Sequence, residues 1–129
     1  MYQLAIRRDF TAHHFLIGGD WGRESHLHPH EYSVEVRVDG TELNEHGYLI
    51  DIMDMENRMG KIISYFKDRT LNDLPEFAGM NPSIERLAGC ICEMIGIEAL
   101  SPALSGVTVK VWEAPDAWAA CRRDFYVRS

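Results

Sequence analysis

The chain is poor in cysteine, with three, and they follow no pairing pattern. Cys90 and Cys92 stand two apart in a helical-looking segment, Cys121 lies far away, and no C-x-x-C occurs. An odd, scattered set reads as the reduced thiols of a cytoplasmic protein and not as a disulfide framework, with a reactive cysteine as the alternative. No apolar run approaches the roughly 18 residues of a membrane-spanning helix. The opening MYQLAIRRDF lacks the long apolar stretch of a secretory signal, so none is expected. Lys and Arg form no runs and the formal net charge is −7, so neither nucleic acid nor a membrane is expected as a partner. Repeats, low-complexity stretches and linkers are also missing. What remains is 129 residues, 46% hydrophobic and 26% charged. That is enough to bury a core without staples, and residues 1–129 are expected to form one domain.

The chain divides by its period. In residues 2–16, Leu4, Ile6, Phe10, Ala12, His14 and Leu16 share one parity, with Arg8 the exception. A period of two with one apolar face predicts a strand. Residues 17–27 carry three glycines and read as a loop. From 28 to 39, Tyr32, Val34, Val36 and Val38 alternate with polar residues, and Asp39-Gly40 ends the strand with a turn dipeptide. Ile52, Met55, Met59, Ile62, Ile63 and Phe66 then fall on one helical face. Leu71 to Met80 reads as a loop. Asn81-Pro82 reads as an N-cap and first-turn proline for a second helix, with Ile84, Leu87, Ala88, Ile91, Met94 and Ile95 as its stripe and Gly96 as its stop. Val107, Val109 and Val111, and later Ala119, Cys121, Phe125 and Val127, mark two more strands around the turn Ala114-Pro115-Asp116. The order β-β-α-α-β-β predicts an α+β layer fold: a four-stranded antiparallel sheet with two helices on one face.

Histidine is the residue type in excess at one place. Four of the six lie between residues 13 and 28, and a fifth is His30. His28 and His30 are two apart in a strand, so both point to one face, about 6.6 Å apart along the chain. Their parity is that of Tyr32 and Val34, the apolar side. His14 shares its face with Phe10 and Ala12, which leaves His13 pointing outward. If the first two strands pair, three imidazoles converge. Three neutral imidazoles suit zinc and leave a position open for a water or a substrate oxygen, the mark of a catalytic metal. The plainer alternative is a group of core or rim histidines satisfied by hydrogen bonds. His46, in a loop, has no evident role.

Several segments taken together resemble one family. Phe10-Thr11-Ala12-His13-His14-Phe15-Leu16 is similar to F-S-A-S-H-x-L of the 6-pyruvoyl-tetrahydropterin synthases and 6-carboxytetrahydropterin synthases. Leu27-His28-Pro29-His30-Glu31-Tyr32 resembles L-H-G-H-N-Y, and Gly47-Tyr48-Leu49-Ile50-Asp51 the stretch before the family's first helix. Leu71-Asn72-Asp73 and Asn81-Pro82-Ser83-Ile84-Glu85 resemble L-N-D and N-P-T-S-E. Val109-Lys110-Val111-Trp112-Glu113 resembles V-x-V-x-E-T. The matches run in order across nearly the whole chain.

The resemblance implies the tunnelling fold, or T-fold, whose sheets join edge to edge into trimeric barrels that stack as a homohexamer. It implies zinc (Zn2+) at His14, His28 and His30 and a pterin substrate bound between subunits. Glu113 matches the glutamate that anchors the pterin ring; a carboxylate accepts two parallel hydrogen bonds from the 2-amino group and ring N–H. Its parity with Val109 and Val111 predicts the buried face. The alternative is a strand-end carboxylate in solvent. Glu85 also matches a family position, although a glutamate early in a helix is favoured by the macrodipole alone.

The match departs at the catalytic positions. Glu24 stands where 6-carboxytetrahydropterin synthases carry their cysteine. Lys67 and Asp68 stand in place of the family's Asp-His pair, Pro29 replaces the glycine between the histidines, and Glu31 the asparagine after them. Glu24 can be a base if burial raises its pKa, a fourth zinc ligand, or an exposed loop charge. Family members with glutamate in place of the cysteine resemble side-chain-cleaving enzymes that release 6-hydroxymethyl-dihydropterin. Asp68 and Lys67 are either a substitute acid–base pair or solvated residues at a helix end.

The resemblance therefore implies a zinc-dependent lyase acting on 7,8-dihydroneopterin triphosphate or a related dihydropterin. Its pathway would be queuosine or folate biosynthesis, with Glu24 and Asp68 as catalytic candidates and Glu113 and Glu85 as substrate-binding ones. The side-chain-cleaving variant fits Glu24 better. A pterin- or purine-binding paralogue that has lost catalysis is the reading from another class. Arg7, Arg8, Arg23 and Lys110 are candidates for phosphate contact.

Overall fold

A computed structural model describes residues 1–19, 22 and 26–125. Two hairpins flank a helical pair, in the expected order. Strand β1 (Tyr2–His14) pairs antiparallel with β2 (His28–Gly40) from Tyr2↔Gly40 to His14↔His28. Strand β3 (Leu104–Ala114) lies on the other side of β2, and β4 (Ala117–Asp124) follows it. The sheet order is β1-β2-β3-β4, so β1 and β4 are its edges.

The apolar parity of each strand faces the helices. Phe10, Ala12, Tyr32, Val34, Val36, Val107, Val109 and Val111 are buried there. Helix α1 (Ile52–Phe66) lays Met55, Met59, Ile62 and Phe66 on this face. Helix α2 (Ile84–Met94) adds Ile84, Leu87, Ala88 and Ile91. Ile52 and Met94, at the ends of the two apolar stripes, are exposed.

Caps explain where the helices begin and end. Asp51 accepts from the Met53 N–H at 2.9 Å, satisfying one orphan donor of α1. The cap of α2 is Ser83, which accepts from the Arg86 N–H at 3.2 Å, rather than Asn81. Asn81 is drawn off by other partners, described below. Gly96 ends α2 in the left-handed region, φ 57°, and Arg58 of α1 donates to the carbonyls of Ile95 and Gly96 at 3.2 and 3.0 Å. The stretch 71–80, expected as plain loop, contains two short 3-10 turns, Leu71–Asp73 and Pro75–Phe77, which bury Leu71 and Phe77.

The far edge of β1 is covered where the histidines lie. The Asp68 N–H donates to the Thr11 carbonyl at 2.7 Å, and the His13 N–H to the Arg69 carbonyl at 2.8 Å. The chain leaving α1 is thereby stitched to the C-terminal end of β1, opposite β2. No described helix is long and apolar enough to cross a membrane.

Candidate metal centre

His14, His28 and His30 meet on the inner face of the β1–β2 pair. His14 stands directly across from His28, and Ala12 across from His30. Ala12 is fully buried and carries only a methyl group. That leaves room for the His14 ring to lean back over His30, at 4.3 Å between ring centroids. The His14–His28 and His28–His30 centroid separations are 4.6 and 4.7 Å. One ligating nitrogen from each ring lies within 4.8 Å of the other two.

The donor set fits a metal ion. All three ligands are imidazoles, the ligand type shared by zinc and other borderline metals. Two of the rings have one nitrogen committed. The Nδ1–H of His28 donates to the His26 carbonyl at 2.8 Å, because a carbonyl only accepts. Nδ1 of His14 lies 2.6 Å from the Tyr32 hydroxyl, in a buried contact. Both bonds occupy Nδ1 and leave Nε2 as the nitrogen for a metal, the arrangement found behind metal-bound histidines. No carboxylate joins the cluster among the described residues. Three neutral ligands leave a dication's charge uncompensated, so an anionic or strongly polar oxygen is favoured at the remaining position.

Two asparagines hold the chain just beyond His14. Asn72 accepts from the Phe15 N–H at 3.0 Å and donates to the Phe15 carbonyl at 2.9 Å. Asn81 does the same for Ile17, at 2.7 and 3.2 Å. Each amide side chain acts as a one-residue strand partner, continuing the pairing of β1 past its last histidine. Neither role was visible in the sequence, where Asn81 looked like a helix cap.

Glu113 sits elsewhere than its parity suggested. Trp112 pairs with Trp118 but Ala114 pairs with Ala117, so Glu113 is an extra residue on β3. This β-bulge breaks the alternation, and the side chain is exposed instead of buried. It lines a depression of about 280 Å³ together with Arg7, Asp9, Glu31, Ser33 and Tyr32. Arg7, Asp9, Glu31 and Ser33 have the outward parity of β1 and β2, so the depression lies on the face of the sheet opposite the three histidines. Arg7 donates to Ser33 at 2.6 Å and lies 4.0 Å over the Trp112 ring.

The other expected site residues are dispersed. Asp68 is exposed at the end of α1 with φ 60°. Glu85 is exposed in the first turn of α2. Among the remaining phosphate candidates, Arg8 pairs with Glu56 at 3.1 Å, and Lys110 lies 3.8 Å over the Trp118 ring. Glu24 and Arg23 lie outside the described residues. The cysteines are remote in the fold, Cys90 and Cys92 on α2 and Cys121 on β4. Burial pushes the Cys90 and Cys92 thiols up to about 11.

The fold has close counterparts among solved structures. The 6-pyruvoyl tetrahydropterin synthase of Plasmodium vivax matches with a TM-score of 0.79 at 19% identity, over 96% of this chain and 98% of that one. A catalytic-residue variant of the same enzyme, with a glutamate replaced by alanine, matches at 0.76 and 17% identity, over 96% and 98%. The Caenorhabditis elegans 6-pyruvoyl tetrahydropterin synthase matches at 0.75 and 18%, over 96% and 98%. The four-stranded sheet with two helices is thus the T-fold expected from the sequence. Comparison with curated proteins finds no match. The family model for 6-pyruvoyl tetrahydropterin synthase covers residues 3–124. With that match over nearly its whole length, the chain belongs to the 6-pyruvoyl tetrahydropterin synthase family.

Proposed function

We propose that the protein is a zinc-dependent lyase that processes a dihydropterin, with 7,8-dihydroneopterin triphosphate or a close relative as substrate. The observation that carries this is the convergence of His14, His28 and His30 within 4.8 Å, in a chain of this family. These three residues would hold the ion, which when bound polarises the side-chain oxygens of the pterin. Glu113 accepts the 2-amino and ring N–H hydrogen bonds of the heterocycle. Its exposure in a depression leaves the carboxylate open to a ligand.

Glu24 takes the role of proton acceptor. No described cysteine lies at the cluster, and the two thiols on α2 are held protonated. The Plasmodium vivax relative, whose catalytic residue is a glutamate, favours the same assignment. A glutamate base also suits the second reading, cleavage of the side chain to 6-hydroxymethyl-dihydropterin. Asp68 and Glu85 are assigned supporting parts, in proton transfer and substrate binding. The β4 edge and the part of the β1 edge that the chain after α1 leaves uncovered support closure of copies into a ring, and a cytoplasmic hexamer of two stacked trimers is the assembly proposed.

The test is a pair of variants incubated anaerobically with 7,8-dihydroneopterin triphosphate, with products identified by mass. Glu24→Ala should bind the pterin and lose turnover. Glu113→Gln should weaken binding by roughly 10- to 150-fold, the worth of hydrogen bonds to a charged group. Full turnover in Glu24→Ala would overturn the assignment of the base. Pterin binding without any turnover in the wild type would overturn the lyase reading in favour of a binding protein.

A further inference from the structure

The buried contact between Tyr32 and His14 has a role that the ligand set alone does not describe. We propose that Tyr32 is a positioning residue for the metal: its hydroxyl fixes the tautomer and the direction of His14. The inference rests on the zinc reading above.

The geometry comes from the β1–β2 register. His28, His30 and Tyr32 follow one another at two-residue spacing on the inner face of β2. Tyr32 faces Phe10 across the pair, with ring centroids 5.4 Å apart. The His30 ring, two residues back on the same strand, lies 5.7 Å away. The tyrosine ring is therefore held by packing, and its hydroxyl arrives at Nδ1 of His14, 2.6 Å away, as a fixed partner. Tyr32 is 1% exposed and His14 4%, so water does not readily replace that partner.

Chemistry then sets the direction of the bond. A ligating imidazole is neutral, with a lone pair on one nitrogen and a proton on the other. If His14 ligates through Nε2, its Nδ1 carries the proton and the Tyr32 oxygen accepts it. His28 meets the same requirement with the main-chain carbonyl of His26. Side-chain substitution does not remove that acceptor, whereas it removes the one behind His14. A hydroxyl is also a neutral acceptor. A carboxylate in its place would add a negative charge behind the ligand and oppose an anionic oxygen at the metal.

The experiment uses the intact protein and Tyr32→Phe, which keeps the ring and removes the oxygen. Zinc affinity is measured by chelator competition, and the cobalt(II)-loaded protein by its visible spectrum. The expected result is a 10- to 100-fold loss of zinc affinity and a changed cobalt band, in a variant that keeps the circular-dichroism spectrum of wild type. Ile91→Val, buried on α2 away from Tyr32, serves as the packing control, expected to lower the melting temperature while leaving zinc affinity within about threefold. Zinc affinity in Tyr32→Phe within twofold of wild type would overturn the inference. Nitrogen-15 NMR of the zinc-loaded wild type is independent of whether any variant folds. It should show His14 as the Nδ1–H tautomer, and an Nε2–H tautomer would overturn the inference by itself. Wild type that binds no metal would instead sink the zinc reading and this role with it.

Discussion

Asn81 and Ile17, 64 positions apart, are joined by two hydrogen bonds. The asparagine oxygen accepts the Ile17 N–H at 2.7 Å and its amide donates to the Ile17 carbonyl at 3.2 Å. Asn72 repeats the arrangement at Phe15. The segment after α1 thereby fixes the direction in which the chain leaves His14. Replacing Asn72 by alanine leaves two part-buried backbone groups without this partner, at a cost of about 1–3 kcal/mol. The expected outcome is faster hydrogen exchange at Phe15 and weaker metal binding in Asn72→Ala. Unchanged exchange at Phe15 would contradict the clamp.

A second long-range tie crosses the outer face of the sheet. Arg122 on β4 reaches over β3 to Asp39 on β2, with Nη1–Oδ2 at 2.6 Å and Nη2–Oδ1 at 3.2 Å. Gly106 makes the crossing possible: a Cβ there would lie 2.5 Å from the Arg122 Nη2. Asp39 is 4% exposed, so losing its partner strands a buried carboxylate. Arg122→Ala is expected to cost about 1–3 kcal/mol in urea unfolding, and Gly106→Ala to do similar damage by displacing the guanidinium. A Gly106→Ala protein as stable as wild type would refute the steric argument.

The pH dependence of stability has a definite sign at Glu98. Its carboxylate makes two 2.9 Å hydrogen bonds to Arg123, which hold its pKa below the ordinary value. A carboxylate with a depressed folded pKa stabilises the protein above its unfolded value, about 4.3, and loses that contribution as pH falls through the folded one. The pair is partly exposed, so the effect is below about 1 kcal/mol. Urea midpoints of wild type should fall more steeply below about pH 5 than those of Glu98→Gln. Parallel pH profiles would contradict the assignment.

Much of this was legible in the sequence because it rests on period. Parity selected His14 over His13 and put His28 and His30 on the same face, and the β1–β2 register brings the three together. The helical stripes placed α1 and α2. What escaped detection depends on contacts that period does not encode. One extra residue at Glu113 shifts the alternation of β3 and brings that side chain into the open. Asn81 has the composition of a cap, yet its amide is committed to Ile17 and Ser83 caps instead. Tyr32 read as one more apolar residue of β2, because a hydroxyl leaves no mark on hydrophobic alternation. The Arg122–Asp39 tie needs an intervening glycine on a third strand, visible only once the strands are aligned.

The remoteness of the cysteines yields a chemical test. With Cys90 and Cys92 raised to about 11, both stay protonated at neutral pH. Alkylation by iodoacetamide at pH 7 should leave turnover intact. Inactivation in step with modification of one thiol would point to a cysteine nucleophile and away from Glu24.

The most direct test of the whole account is metal analysis coupled to turnover. Wild type and His28→Ala are analysed for zinc, then incubated anaerobically with 7,8-dihydroneopterin triphosphate before and after chelation. The expected result is one zinc per chain in wild type, a side-chain-altered pterin as product, and loss of both on chelation or in His28→Ala. Turnover that persists in zinc-free protein, or wild type that holds no zinc, would contradict the central claim.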